Sequence, residues 1–482
     1  MFIGIDIGTS EVKVLLLAPD HRVLGSAGTA LTVQRPHPGH SEQNPQDWWT
    51  ATLSALAQLR VAHPTEFAAV QAIGLSGQMH GAVLLDAQDR ILRPAILWND
   101  TRCATECTEM MAELPSLPDL GGSLAMPGFT APKLRWVAQH EPEIFKQVAK
   151  VLLPKDYVRL MLTGEYVSDM SDASGTLWLD VQKRAWSDEL LALTGLTQAH
   201  MPRLVEGSAP GGALKADVAQ ALGLNAGIVV AGGAGDNASS AVGMGAVQAG
   251  QGFLSLGTSG VLFVVTPSYQ PNAASATHAF CHAVPGQWHQ MSVMLSAASS
   301  LQWVTDLLGA GHAGEVANRA AALSGADRAG APLFLPYLGG ERTPHNDANV
   351  RGSFHRLSFD TDAARLGYAV IEGVTFGLKD GLAALNAAGS TVQRLSLVGG
   401  GARSAFWAQQ LASALNVEIV THGSSAVGGA LGAARLGWLA TGAAAAEVCL
   451  SPEVRASYHP DTAEQSLLLE RYATFRSLYR ST

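Results

Sequence analysis

Residues 3–17, IGIDIGTSEVKVLLL, form an apolar run interrupted by a Gly-Thr-Ser step, a pattern that predicts a strand, a tight turn at Gly8-Thr9-Ser10 and a second strand. The pattern returns at 253–265, FLSLGTSGVLFVV, where aligning 5–14 on 254–263 sets Gly8 on Gly257, Thr9 on Thr258, Ser10 on Ser259 and Val12 on Val261. Two further echoes follow in the same order. VQAIGLSGQMHG (70–81) and VQRLSLVGGGARS (392–404) each read as an apolar strand running into a glycine loop. IVVAGGAGDNASSAVGMGA (228–246) and VEIVTHGSSAVGGALGAAR (417–435) each read as a β-branched strand, a turn and a helix of small residues. Three pairs in one order predict a duplicated α/β domain. The boundary is expected near Gly245 to Gly252, giving domains 1–246 and 247–482, with insertions at about 85–225 and 266–390.

Within the insertions, Pro and Lys precede helical apolar spacing at 127–145 and 152–164, and Leu366, Val370, Val374, Leu378 and Leu382 recur every four residues, as on a helix packing against a core. In SEQNPQDWW (41–49), Asn44 suits a helix cap and Pro45 the first helical position, while Trp48 and Trp49 read as packing residues. A helix is also expected to start near Ala402.

A chain of 482 residues suggests two or three packed units, and 47% hydrophobic against 15% charged residues implies extensive burial. The net charge of −9, without a cluster of Lys and Arg, argues against a nucleic-acid partner. Cys103, Cys107, Cys281 and Cys449 show no two-residue spacing, so free thiols in a reducing cytoplasm are expected. Asp6 breaks the N-terminal apolar run, and no apolar span is long enough to cross a bilayer, so neither a signal peptide nor a membrane partner is expected.

The two Gly-Thr-Ser turns offer backbone amides and hydroxyls suited to phosphate oxygens. Where the first copy has Asp6 the second has Ser255, so one phosphate-facing strand carries a carboxylate of the kind Mg2+ takes alongside phosphates, directly or through water. SGQMHG (76–81) lies at the end of a strand: Gln78 and His80 can hydrogen-bond hydroxyls and Met79 can pack on a sugar face. VGGGARS (398–404) lets backbone approach a flat ring or a phosphate. Asp236, at the head of a small-residue helix, suits a helix cap and a proton acceptor equally well.

The segments GIDIGTS, SGQMHG, ILWNDTRC (96–103), PGFTAPKLRWV, LLPKDY, GDNA, LSLGTSGV, LPYLGGERTPH (335–345) and VGGGARS together resemble the FGGY carbohydrate kinases, of the actin-like ATPase superfamily, over nearly the whole chain. The resemblance implies an α/β fold of duplicated RNase H-like domains with an interdomain cleft, the sugar held mainly by the first domain and ATP mainly by the second. It implies that Met79, His80 and Asn237 join Gln78 at the sugar, that Asp236 accepts the proton, and that Asp6 serves Mg2+ and the phosphates. Gly8, Thr9, Gly257, Thr258, Ser259, Gly399, Gly400 and Gly401 would lie along the nucleotide. The Met-His pair favours D-xylulose, phosphorylated at its 5-hydroxyl, over glycerol, for which Arg-Glu is expected in that loop. Ribulose, fuculose or gluconate are the alternative substrates, and a sugar-independent ATPase switch is the alternative class. The resemblance is compatible with a homodimer. Two departures stand out: Ala234 in place of a Gly before Asp236, and Arg356 in GSFHRLSFD (352–360) where the family pattern calls for Gly.

Overall fold

The computed structural model describes residues 1–423 and 428–479. The first half contains β1 (Phe2–Ile7), β2 (Glu11–Leu17), β3 (Val23–Ala30), α1 (Pro45–Ala62) and β4 (Ala72–Gly77). An insertion carrying α2 (Thr130–His140), α3 (Pro154–Thr163) and α4 (Met170–Ser174) then leads to β5 (Pro210–Ala213), β6 (Val229–Ala231) and α5 (Asp236–Gly243). The second half runs through β7 (Gly252–Leu256), β8 (Gly260–Thr266), β9 (His278–Cys281), β10 (Trp288–Met294), α6 (Ala363–Ala387), β11 (Arg394–Val398), α7 (Ala405–Leu415), β12 (Glu418–His422), α8 (Gly429–Leu439) and β13 (Val454–Tyr458).

The duplication is visible in the sheets. The first has the order β5-β6-β4-β1-β2-β3 and the second β13-β12-β11-β7-β8-β10, with β9 added beyond β10. In each, an antiparallel three-strand meander joins two parallel strands and ends on an antiparallel edge. The central strands read as continuous apolar runs because helices or loops cover both their faces. Two edges were hidden in the expected insertions: β5 falls inside 85–225, and β9 and β10 fall inside 266–390. The β5 sequence, PGGA, carries almost no apolar signal because an edge strand buries little.

Local sequence accounts for the helices. Asn44 accepts a hydrogen bond from the Gln46 amide at 3.1 Å, Pro45 opens α1, and Trp48 and Trp49 are buried in the first core. Val370, Val374, Leu378 and Leu382 of α6 are all buried in the second core. The helix expected from Ala402 starts instead at Ala405, capped by Ser404, after a 3₁₀ turn over Gly400–Arg403; the glycines before it favour a loop over a helix. Arg356 keeps the left-handed conformation that a Gly would supply, with φ of 63°, so the departure from the family pattern leaves the backbone shape in place at a steric cost of about 1–2 kcal/mol.

Helix α8, although it belongs to the second half by sequence, lies across β1 and β4 of the first sheet and against α5. A β-carbon on Gly74 would fall 1.7 Å from the Ala433 carbonyl oxygen, and one on Gly432 would fall 1.7 Å from that of Ser239. Ser239 Oγ donates to the Gly429 carbonyl at 2.8 Å, and Arg435 donates to the carbonyls of Val242 and Gly243, at the C-terminal end of α5, at 3.0 Å each. This crossing joins the two halves. Gly74→Ala is expected to force α8 off the sheet at a cost of about 3 kcal/mol, read as a lower denaturant midpoint. An unchanged midpoint would show that the contact is not limiting.

Candidate active site

The turn after β1 is braced by side chains. Thr9 Oγ1 donates to Gln78 Oε1 at 3.0 Å and accepts from Trp98 Nε1 at 3.0 Å; Gln78 Nε2 donates to the Gly8 carbonyl and to Gln43 Oε1, and Gln43 Nε2 donates to the Thr9 carbonyl at 2.8 Å. Gln78, expected at the sugar, is buried and commits both ends of its amide to this turn. In this structure Gln78 supports the turn that carries Gly8 and Thr9. A polar side chain that is nearly closed to water bonds its nearest protein partners first.

His80 follows two residues later with φ of 71°. Its carbonyl accepts from Thr130 Oγ1 at 3.1 Å and from Lys133 Nζ at 3.0 Å, both on α2, so two donors hold the strained residue. Its Nδ1 sits 2.7 Å from the Gly175 carbonyl and its ring leans on Phe129 at 4.5 Å. Burial, reinforced by the Lys133 charge, pushes the imidazole down to about 3. The ring is therefore neutral, and because Nδ1 must donate to a carbonyl, Nε2 is left as an acceptor. Met79 is buried beside it, and a β-carbon on Gly235 would lie 2.8 Å from Met79 Cγ, so the Met-His loop touches the residue that precedes Asp236.

Three neighbours escaped the sequence reading. Lys133 is wholly buried without a carboxylate partner among the described residues, and burial lowers its ammonium to about 7. His278 and Arg342 reach the site from the second half: Ser123 Oγ lies 2.8 Å from His278 Nδ1, the Phe129 and His278 rings are 5.7 Å apart, and the Arg342 charge acts on both His80 and His278. Lys133 lies inside a segment that was quoted, PGFTAPKLRWV, where a lone lysine in an apolar helical stretch was the available signal.

Asp236 is the first residue of α5, with Gly235 as the cap, so it does not serve as a plain helix cap. Its Oδ1 accepts from the Asn237 amide at 2.7 Å and from Asn237 Nδ2 at 2.9 Å. Burial, followed by the nearby Asp6 charge, raises the carboxyl to about 6. It remains mostly ionised at neutral pH and is a stronger base than an ordinary carboxylate. Asp6 itself ends β1 against the start of α8, where a β-carbon on Gly429 would meet its Cγ at 2.7 Å. Burial raises its pKa against the opposing effects of the Ser76 hydroxyl and Lys13. Its Oδ1 is buried and has no hydrogen-bond partner among the described residues. In the segment 417–435, paired by sequence with the Asp236 segment 228–246, residues 424–427 lie outside the described residues.

On the other wall, the Gly257 and Thr258 carbonyls accept from the Ala298 and Ala297 amides at 2.8 and 2.9 Å, while the Thr258 and Ser259 side chains are exposed. Gly399, with φ of 90°, lies over this turn; a β-carbon there would come within 2.7 Å of the Leu256 carbonyl oxygen. Gly399 and Gly400 are exposed, Gly401 is buried, and a cleft of about 710 Å³ opens beside them, flanked by Arg403, His422, Arg455 and Tyr458.

The two halves match, in order, the N-terminal domain of the FGGY family of carbohydrate kinases over residues 1–243 and its C-terminal domain over residues 252–441. The chain belongs to the FGGY family of carbohydrate kinases. It is 50% identical to the xylulose kinase of Escherichia coli K12, covering 100% of this chain and 99% of that protein. The crystal structure of a xyloylose kinase from Brucella ovis superposes with a TM-score of 0.97 at 51% identity, covering 100% of this chain and 99% of that one. The xylulose kinase structure from Rhodospirillum rubrum gives 0.93 at 28% identity, covering 100% and 98%. As an FGGY member the chain is a sugar kinase with the duplicated actin-like ATPase fold, and ATP is its phosphoryl donor.

The raised Asp236 pKa has a consequence for stability. The folded state binds this proton more tightly than the unfolded chain, so the contribution of Asp236 to stability falls as pH rises from about 4 to about 6 and stays low above that. FGGY-member Asp236→Asn is expected to be more stable than the parent at pH 8, by up to about 3 kcal/mol, with the difference closing near pH 4 in denaturant titrations. Equal midpoints at pH 8 would contradict the raised pKa.

Proposed function

We propose that the chain phosphorylates D-xylulose at its 5-hydroxyl, with ATP as donor and Asp236 as proton acceptor. The observation that carries this reading is the packing of Met79 against Gly235, which joins the Met-His loop to the carboxylate. The full-length likeness to a protein named xylulose kinase supports it. On this reading residues 1–246 hold the sugar and residues 247–482 the nucleotide, and the enzyme works in the cytoplasm.

His80 Nε2 accepts a sugar hydroxyl and Met79 packs on the apolar face of the sugar. Asn237, bonded to Asp236, fixes the carboxylate toward the 5-hydroxyl. Asp236 takes the proton of that hydroxyl as its oxygen bonds to the γ-phosphorus and the bond from γ-phosphorus to the bridging oxygen of ADP breaks. The transition state is loose, so the proton moves late and a base of pKa about 6 suffices. On this reading the turns at Gly8-Thr9 and Gly257-Thr258-Ser259 flank the phosphates, with the exposed Thr258 and Ser259 hydroxyls available to them while the Gly8 and Gly257 amides bond within their own turns to the Glu11 and Ser259 carbonyls, and Gly399, Gly400 and Gly401 lie along the nucleoside in the adjoining cleft. The Asp6 Oδ1, without a hydrogen-bond partner among the described residues, fits Mg2+ held through water. When bound, the ion neutralises phosphate charge.

A coupled ADP-release assay over D-xylulose, ribulose, fuculose, gluconate and glycerol is expected to give the highest kcat/KM with D-xylulose; a better substrate in the panel would replace it. The kcat/KM profile is expected to be flat above pH 6 and to fall about tenfold per pH step below it, as Asp236 takes up its proton. Asp236→Ala is expected to fold and bind D-xylulose while losing turnover by about a thousandfold. Turnover retained in the folded variant would exclude Asp236 as acceptor.

A further inference from the structure

Behind the segment 231–235 lies a cluster of buried charges that the transfer chemistry does not use. Lys155 Nζ lies 2.6 Å from Asp156 Oδ1, 2.8 Å from Asp169 Oδ1 and 3.1 Å from Asp172 Oδ2, with all four side chains fully buried. Arg159, also fully buried, pairs with Asp156 Oδ1 at 2.7 Å, and Ser168 Oγ donates to Asp156 Oδ2 at 2.6 Å. Two cations thus face three carboxyls. Burial raises Asp172 well above the usual carboxylate range, opposed by the Lys155 charge and reinforced by Asp156 and Asp169. A buried ion cluster of this kind is seldom a net source of stability, because desolvation offsets the attraction.

Its outer groups hold a specific piece of backbone. Arg159 donates to the carbonyls of Ala231, at 3.3 Å, and of Gly232, and to that of Val167 at 2.7 Å. Asp169 accepts from the Ser171 hydroxyl, and Ser171 Oγ in turn accepts from the Gly235 amide at 3.2 Å. The chain between β6 and α5 is therefore tied at both ends, with Gly232 and Gly233 between, the latter at φ of 75°. Glycines give this segment little intrinsic order, so its shape depends on such ties together with the pairing of Ala234 and Gly235 to β4 and the bonds from the Gly232 and Gly233 amides to the Ala209 and Gly207 carbonyls.

We propose that Lys155, Asp156, Arg159, Asp169 and Ser171 are positioning residues that set the Asp236 carboxylate by fixing the backbone of residues 231–235. The inference rests on Asp236 being the proton acceptor. Ser171 is the neutral link of the chain and the one to test, because its hydroxyl joins the buried ions to the residue before Asp236.

Ser171→Ala, assayed for D-xylulose phosphorylation, is expected to lower kcat about tenfold while the KM for D-xylulose stays within about twofold. In the Asp236→Ala background, with residual turnover followed at high enzyme concentration, the same change is expected to have no further effect, since the group through which it acts is gone. Ser171→Cys, nearly isosteric but a weak acceptor, preserves packing and is expected to show the same kcat loss, so the comparison survives if the alanine variant fails to fold. An unchanged kcat in the folded variant, or an equal loss in both backgrounds, would overturn the proposal. Full turnover in Asp236→Ala alone would instead remove the acceptor reading beneath it.

Discussion

The carbonyl of Ala433 rests where a β-carbon on Gly74 would stand, and the carbonyl of Ser239 rests where one on Gly432 would stand. Main chain meets main chain at both points, and no larger residue allows it. Because α8 can lie directly on the first sheet, the second half of the chain contributes a helix to the first half's face, and the two share one packed junction. The same crossing brings the start of α8 to Asp6, while α5, packed against α8, carries Asp236 at its own start. Two helix N-termini therefore converge on one region, where their partial positive charge suits phosphate.

Around that region, water exclusion controls protonation. Burial favours the neutral form of every group it touches, and the acids and bases respond in opposite directions. His80 is neutral with one nitrogen committed, Lys133 is brought near neutrality, and Asp236 and Asp6 both become more basic than free carboxylates. The result is a wall of neutral hydrogen-bonding groups beside two carboxylates that repel each other. Positive charge at the site rests with Arg342 and with Lys133, which is about half protonated near pH 7.

The repeated strands were legible because both faces of a central strand are covered, which writes an uninterrupted apolar run into the sequence. Asn44 and Pro45 announced α1 because capping is a local interaction. The edge β5 was not legible, since an edge leaves one side open and needs little apolar content, and β9 and β10 were not because buried polar residues, His278, His289, Gln290 and Ser292, break up their apolar runs. At the site, Asp6 stood out as a charge inside an apolar strand, and Met79, His80 and Asp236 in segments after strands. Gln78 was read from its neighbours in sequence, and its hydrogen-bond partners Thr9 and Gln43, 69 and 35 residues away, could not be read from spacing. Ser171 and Arg159 depend on contacts 64 and more residues distant, so spacing could not show them. Even so, two cations and an acid crowded into the otherwise apolar helix PKDYVRLMLT were a visible hint of a buried cluster.

The crossing is held by more than its glycine contacts: Ser239 and Arg435 bond across it and the Phe2 and Trp438 rings stack beside it. A junction fixed this firmly is the point about which any relative motion of the two halves must turn, and so acts as a pivot. Points close to a pivot travel least when the bodies around it swing. Asp6, Gly429 and Asp236 all sit at the ends of the elements that form it. Any swing of one half against the other would therefore widen or narrow the far rim of the cleft while leaving the two carboxylates almost where they were.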